Sequence, residues 1–234
     1  MSVLGRPRLH LRETTSTNER ARAAAAAGAP HGLLVTADAQ TAGRGRQGRT
    51  WAAPPGHALL LSVLLRDPVP LLPLYAAVAV AETVASVAPD RAPGIKWPND
   101  VHLDGRKVAG ILVEGRPQER WAVLGIGLNV AVDIEELPAE LHGTAATLGL
   151  QPTQREPVLA ALLDRLEEVL ALTTSDLLEA WRARDVLRGR EVRWASGSGT
   201  AAGVDGDGRL VVELDGGGRT ALDAGEVHLG RGAG

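Results

Sequence analysis

The chain has 234 residues, 44% of them apolar, and its 25 basic and 28 acidic residues give a net charge of −3. This length and apolar content suffice for one large domain or a medium domain with a small companion, while the net negative charge excludes a general attraction to nucleic acid or anionic membranes. The absence of cysteine excludes disulfides, thiolate metal ligands and a cysteine nucleophile.

The N-terminal residues lack the apolar stretch of a signal peptide. Proline and charged residues interrupt the most apolar region, 58–88, which is therefore not a single membrane-spanning helix. We expect a cytoplasmic protein without a membrane segment.

The first half of the chain predicts alternating helices and buried strands. Ser16 and Glu19 have the spacing of a capping box, the alanine run after them favours a helix, and Gly28 is placed to end it. Short apolar runs predict strands at 33–36 and 57–65. An apolar helix follows, from about Pro73 to Pro89.

The second half begins with a predicted hairpin and ends in a glycine-rich β region. Asp104 and Gly105 form the turn signal between predicted strands at 100–103 and 107–114. A further strand is predicted at 120–130, and helices at about 156–172 and 175–183.

Together these elements predict an α+β fold with two domains. Residues 1–188 form the larger domain, with hairpins in a mixed or antiparallel sheet, and residues 189–234 form a small β-barrel. We expect the barrel to serve ATP handling or partner docking more than it serves the main core.

The stretch GRGRQG, at 43–48, has the G-x-G-x-x-G pattern of the dinucleotide-binding fingerprint but not the secondary structure that must follow it. That fingerprint must open a crossover helix, and the eight residues between Gly48 and the next predicted strand include Pro54 and Pro55, which leaves no room for one. Its two arginines and the following Arg49 also allow an RNA-binding arm, although three arginines in a net acidic chain offer little electrostatic attraction to a phosphate backbone.

Four other segments accompany this loop in a fixed order: TSTN at 15–18, KWPND at 96–100, KVAGILVE at 107–114 and GIGLNV at 125–130. The first lies at a helix N-terminus, where free N–H groups favour anionic or acceptor-rich ligands. Together with GRGRQGR and the following Trp51, the set resembles the biotin protein ligases over nearly the whole chain.

The resemblance implies a class II synthetase-like catalytic domain with a mixed sheet and a C-terminal SH3-like β-barrel. It also implies a reaction in which ATP activates biotin as biotinyl-5′-AMP, with Mg²⁺, before biotin passes to a lysine of a carboxylase's biotin carboxyl carrier domain. Only about a dozen residues precede the TSTN helix, so we expect no DNA-binding domain. The oligomeric state stays open, and a homodimer is allowed.

The resemblance also implies roles for individual residues. Lys96 and Arg46 are the predicted catalytic residues. The predicted biotin-binding residues are Ser16, Thr17, Asn18, Gln40, Arg44, Gly45, Arg46, Lys96 and Gly110. The predicted ATP or adenylate contacts are Arg44, Arg46, Trp51, Lys96 and Asn129. Asn99 and Asp100 are candidates for Mg²⁺ or pyrophosphate contact, while Ser16 also has a competing role as a helix cap.

Two alternatives remain at this point. A lipoate protein ligase has the same fold and adenylate chemistry, but typically carries an arginine pair before a glycine triplet, a pattern that GRGRQGR lacks. An RNA-binding protein would use the arginine loop without ATP, with an affinity that falls steeply as salt rises.

Overall fold

The structure is a computed structural model that describes residues 3–223 and 227–229. Its largest element is a seven-stranded sheet in the order β1-β2-β3-β7-β6-β5-β4. The strands are β1 Arg8–Thr14, β2 Leu34–Gln40, β3 Ala58–Arg66, β4 Pro93–Lys96, β5 Asp100–Leu103, β6 Arg106–Arg116 and β7 Trp121–Asn129. β1 and β2 are parallel and all other neighbours are antiparallel, which confirms the predicted mixed sheet.

Helices cover both faces of this sheet. They are α1 Thr17–Ala26, α2 Leu72–Val87, α3 Arg155–Leu170 and α4 Thr174–Arg182. Leu64 of β3 packs in a small cluster with Ala21 of α1, whereas Val63 and Leu65 belong to the larger cluster that contains α2 and α3. Because successive side chains of a strand point to opposite faces, α1 lies on one side of the sheet and α2 and α3 on the other.

The C-terminal strands form a second, five-stranded antiparallel sheet in the order β11-β10-β9-β8-β12. They are β8 Glu191–Trp194, β9 Gly197–Val204, β10 Leu210–Leu214, β11 Arg219–Leu222 and β12 His228–Leu229. The predicted small β module is therefore present, and its residues 224–226 and 230–234 lie outside the described residues.

The small sheet packs into the main core. Val192, Ala201 and Leu210 belong to the same hydrophobic cluster as Trp97, and the Trp97 indole N–H donates to the Gly208 carbonyl at 3.0 Å. The module thus shares the main core, while its predicted greater importance for ATP handling or partner docking stays a prediction.

Two strands and one cap differ from the sequence prediction. β1 and β4 were not predicted, because β1 is mostly polar and β4 is four residues long and begins with proline. Ser16 is the N-cap of α1, but its side chain makes no capping hydrogen bond. Gln40 of β2 accepts from the Thr17 N–H instead, at 2.7 Å, so the predicted capping box does not form.

No helix in the described part of the chain combines the length and the apolar character needed to cross a membrane.

Candidate functional site

A cavity of about 420 Å³ opens between the N-terminus of α1, the loop at 41–51 and strands β4 to β7. Its lining contains every residue predicted for the site, namely Ser16, Thr17, Asn18, Gln40, Arg44, Gly45, Arg46, Trp51, Lys96, Asp100, Gly110 and Asn129. Residues from seven separate segments thus meet at one place, although their individual roles stay predictions.

The loop at 41–51, which we call the arginine loop, folds back on itself without an α-helix. Gly45 N–H donates to Arg49 O at 2.7 Å, and Trp51 N–H donates to Gly43 O at 3.0 Å. A single 3₁₀ turn, Arg46–Gly48, forms its tip. A side chain at Gly43 would place Cβ only 2.4 Å from the Trp51 carbonyl oxygen, so this closure requires glycine.

Arg46 joins the arginine loop to the KWPND turn. Its Nη1 donates to Asn99 Oδ1 at 3.1 Å, and Asn99 Nδ2 in turn donates to Ile111 O at 2.8 Å. The Asn99 amide is thus engaged by Arg46 and by β6. This arrangement favours a role for Asn99 in holding the loop over its alternative role as a Mg²⁺ contact.

A chain of hydroxyl and amide groups, which we call the inner end of the cavity, connects the lining residues Gln40, Thr17 and Asn18 with Ser62 of β3. Gln40 Oε1 accepts from Thr17 N–H, and Thr17 Oγ1 donates to the same oxygen at 3.1 Å. The Ser62 hydroxyl lies 2.8 Å from Thr17 Oγ1 and 2.6 Å from Asn18 Oδ1. Sequence reasoning missed Ser62, yet it is the one polar residue in the run 58–65, which was an available signal.

The Trp51 ring lies against strand positions that lack side chains. A Cβ added at Gly127 would be 2.5 Å from Trp51 Cε2, and one at Gly110 would be 2.9 Å from Cζ3. Glycine in the middle of these strands therefore leaves room for the indole. Trp51 Nε1 is buried and has no hydrogen-bond partner among the described residues.

Lys107 is a second cavity residue to which sequence reasoning gave no role. Its Nζ lies 5.6 Å from the centre of the Trp51 ring and 2.7 Å from Asp100 Oδ1. Asp100 is the strand partner of Lys96, so the only two lysines of the chain flank one carboxylate at the cavity wall. The register of the β4–β5–β6 hairpins brings them together, and spacing along the chain did not reveal it.

His102 also lines the cavity beside this group. Burial lowers its pKa, an effect opposed by the Asp100 carboxylate and reinforced by Lys96 and Lys107. The ring is therefore neutral at pH 7, and its Nδ1 lies 3.2 Å from the Gly105 carbonyl.

Asn129 and the segment after it form another part of the cavity wall. Asn129 Nδ2 donates to Ala146 O at 2.9 Å, while its buried Oδ1 has no hydrogen-bond partner in the described part of the chain. The segment 131–150, which sequence reasoning left unassigned, contributes Leu137 and Leu141 to the lining and bonds to the start of β6 through Lys107.

The described residues contain no group of three or more His, Asp, Glu or Cys side chains arranged to hold a metal ion. Asp100 is the single carboxylate in the described cavity lining. One carboxylate does not make an all-protein metal cage, but it suits Mg²⁺ that is bound mainly through substrate phosphates.

Comparisons with known proteins agree with this geometry. The biotin/lipoate A/B protein ligase family matches residues 11–131, and the biotin protein ligase C terminal domain matches residues 188–230. A biotin–acetyl-CoA-carboxylase ligase of Mycobacterium tuberculosis is 38% identical, over 93% of this chain and 87% of that protein.

Two solved structures share the fold. The biotin protein ligase of Aquifex aeolicus in complex with biotin and ATP has a TM-score of 0.81 and 29% identity, over 97% of this chain and 99% of that one. The Leishmania major biotin protein ligase in complex with biotinyl-5-AMP has a TM-score of 0.65 and 26% identity, over 93% and 98% of the two chains.

Proposed function

Since this chain belongs to the biotin/lipoate A/B protein ligase family, we propose that it is an ATP-dependent biotin protein ligase. In the first step the biotin carboxylate attacks the α-phosphorus of ATP, which gives biotinyl-5′-AMP and releases pyrophosphate. In the second step a lysine amine of the carrier attacks the acyl carbon of the adenylate, an amide bond forms and AMP leaves.

The observation that carries the proposal is the meeting of three kinds of group in one cavity. The chain from Gln40 to Asn18 offers donors and acceptors for a cyclic urea, which has two N–H groups and one carbonyl. Trp51 and Asn129, on the same cavity wall, have a flat ring and two buried polar atoms that suit a purine base. Cationic side chains complete the lining.

The cations address the main electrostatic difficulty of the first step, in which a carboxylate approaches a triphosphate. Arg44 and Arg46 have planar guanidinium groups that bind carboxylate or phosphate oxygens in pairs. Lys96, which the family resemblance predicts to be catalytic, lines the same cavity as Lys107. We propose that both lysines stabilise charge on the α-phosphate and the departing pyrophosphate.

Mg²⁺ would reach the site with the nucleotide, bound to the phosphates and to Asp100. It would neutralise phosphate charge. Asp100 is held by Lys107 at 2.7 Å, so its carboxylate has a fixed place next to the cations that we assign to the phosphates.

The partner we propose is the biotin carboxyl carrier domain of a biotin-dependent carboxylase, as the name of the Mycobacterium tuberculosis relative supports. We place the reaction in the cytoplasm, where ATP and acyl carriers meet. We predict that the protein does not act on DNA, which a binding measurement tests. A homodimer is allowed, and sedimentation measures the oligomeric state.

Lipoate is the alternative substrate within the family. Its dithiolane ring has no strong hydrogen-bonding group, so it would leave the buried chain of Thr17, Ser62 and Asn18 without ligand partners. This polar inner end favours biotin.

The test is transfer of label to a carrier domain. The protein is incubated with ATP, Mg²⁺ and either radiolabelled biotin or radiolabelled lipoate, together with the carrier domain or its variant that has arginine in place of the acceptor lysine. We expect ATP-dependent labelling by biotin that requires the lysine. Labelling by lipoate and not by biotin would identify the chain as a lipoate protein ligase. Salt-sensitive RNA binding without labelling by either compound would reject ligase function.

A further inference from the structure

Glu114 is a half-buried carboxylate that connects the inner end of the cavity to the arginine loop. It lies on β6 on the same face as Gly110 and Leu112, which line the cavity. Its Oε2 accepts from Asn18 Nδ2 at 2.8 Å. Its Oε1 accepts from Arg22 Nη1 at 2.9 Å and lies 3.7 Å from Arg44 Nη1.

The first contact determines which end of the Asn18 amide meets a ligand. An ionised carboxylate only accepts hydrogen bonds, so Glu114 must face the Nδ2 end of the amide. Leu112 O accepts from the same nitrogen at 3.3 Å. Oδ1 is thereby directed to the opposite side, where it meets Ser62 and where Gly125 leaves space, since a Cβ there would lie 2.1 Å from Oδ1.

The second contact acts on the arginine loop. Arg44 stands at the start of the loop, and the attraction of Glu114 draws its guanidinium toward β6. Arg22, one turn after Asn18 on α1, shares the carboxylate and fixes it from the helix side. One side chain thus touches the residue assigned to the cyclic urea and a residue assigned to the adenylate.

We propose that Glu114 is a positioning residue that couples the biotin end of the site to the arginine loop. The inference rests on the proposed ligase function and deepens it. Glu114 presents Asn18 Oδ1 as an acceptor for a ureido N–H, and through Arg44 it holds the loop over the adenylate. The substrate contacts themselves belong to Asn18 and Arg44.

The main variant is Glu114→Gln, which keeps the shape and removes the charge. We expect the dissociation constant for biotin to rise about tenfold, and release of bound biotinyl-5′-AMP to become about tenfold faster, as for loss of one hydrogen bond to a charged group. The matched control is Glu82→Gln. Glu82 also meets two arginines, Arg184 and Arg165, and its side chain is 24% exposed against 23% for Glu114.

Two backgrounds separate positioning from a general structural role. In Asn18→Ala, adding Glu114→Gln should change biotin affinity by less than about twofold, since the residue that it orients is gone. In Arg44→Gln, adding it should change adenylate release by less than about twofold. Equal effects of Glu114→Gln in wild type and in both backgrounds would overturn the proposal, as would unchanged affinity and release.

Two further controls keep the result interpretable. If Glu114→Gln unfolds, Glu114→Asp carries the same test. It keeps the charge near Arg44 but withdraws the oxygen from Asn18, so biotin affinity should fall more than adenylate retention. Wild-type protein that forms no biotin-dependent AMP product would refute the ligase function itself, whereas an active wild type with an unaffected Glu114→Gln would refute the coupling alone.

Discussion

Two buried atoms on the cavity wall, Trp51 Nε1 and Asn129 Oδ1, have no hydrogen-bond partner among the described residues. Burying such a group without a partner costs about 1 to 3 kcal/mol. A ligand that supplies an acceptor and a donor at these points regains that free energy on binding. At the scale of single residues, the site is therefore suited to a ligand with a polar flat ring.

Lysine replacement tests the cationic side of the site. We expect Lys96→Ala and Lys107→Ala each to slow biotin-dependent pyrophosphate release by about 30-fold or more, because each removes a charge worth roughly 2 to 4 kcal/mol in the transition state. Arg106→Ala, next to Lys107 but exposed and outside the cavity lining, is the control. If a variant releases pyrophosphate at the wild-type rate, the replaced lysine does not stabilise the transition state of adenylate formation.

Arg46 tests retention of the intermediate. Arg46→Gly removes the hydrogen bond to Asn99 but leaves Lys96, Lys107 and Arg44 in place, so the adenylate should form and then escape. An escaped acyl adenylate acylates exposed lysines without selection. The measurement is biotin incorporated into the carrier and into a bystander protein in one tube, with and without ATP.

Asn99→Ala should label the bystander in the same way, because it removes the acceptor of the same hydrogen bond. Wild type should label the carrier alone. An Arg46→Gly variant inactive on both proteins would place Arg46 in adenylate synthesis rather than in retention.

At the scale of elements, β6 organises the site. Gly110, Leu112 and Glu114 share one face of the strand, and Lys107 precedes them at its start. The predicted hairpin turn at Asp104 and Gly105 is confirmed, since both residues have positive φ, as a two-residue turn of type I′ requires. The register that follows from this turn pairs Lys107 with His102. From that position the lysine side chain reaches the Asp100 carboxylate, two residues earlier on β5.

A pH series tests how β1 is held to α3. Arg8 donates through Nη1 and Nη2 to the two oxygens of Glu156, each at 2.7 Å, and this hydrogen bonding lowers the pKa of Glu156. A carboxylate with a lowered pKa stabilises the fold above its unfolded pKa and loses that contribution as pH falls through the folded pKa. Both side chains are partly exposed, so the contribution is at most about 1 kcal/mol.

We expect Glu156→Gln to unfold at a lower temperature than wild type at pH 7, with the difference vanishing as pH falls below about 4. Thermal unfolding followed across that range is the measurement. Glu179→Gln, exposed on α4, is the control for loss of one charge. A difference that stayed constant with pH would show that the Arg8 pair does not hold the two elements.

The sequence allowed prediction of the elements with strong local signals. The four helices, the central strands and the 104–105 turn depend on apolar periodicity, proline and glycine, all of which act locally. β1 depends on its neighbour β2 and has a mostly exposed, polar sequence, so no local pattern marked it. Non-local contacts also explain why parts of the site were not predicted. Strand pairing positions Lys107 and Ser62, and Gln40 of β2 accepts the hydrogen bond from Thr17 N–H in place of the predicted capping box.

At the scale of the whole molecule, the C-terminal sheet supports the strand that carries Lys96. Trp97 donates to Gly208 of the turn between β9 and β10, and Gly208 lies against Leu71 and Leu74 at the start of α2. The boundary at 188–189 stays a prediction. The shared core means that the module's removal acts on the catalytic domain as well.

A shortened chain that ends at Arg188 should unfold at a lower temperature and lose adenylate synthesis, because the Trp97 N–H and apolar side chains lose their partners. Trp97→Phe in the full chain removes the indole donor and keeps the module. We expect it to retain more activity than the shortened chain. Circular dichroism on heating gives the midpoints, and an unchanged midpoint for the shortened chain would show that the module packs independently.

A single turnover without carrier tests whether this cavity makes and holds an acyl adenylate. Enzyme in excess is mixed with biotin, Mg²⁺ and ATP labelled at the α-phosphate. Protein-bound label is separated from free label on a desalting column, and the products in each fraction are identified after denaturation. We expect biotin-dependent conversion of the label to biotinyl-5′-AMP that stays bound to the protein, with an equal amount of pyrophosphate released. Label that remains in ATP, or that is converted equally without biotin, would contradict this expectation.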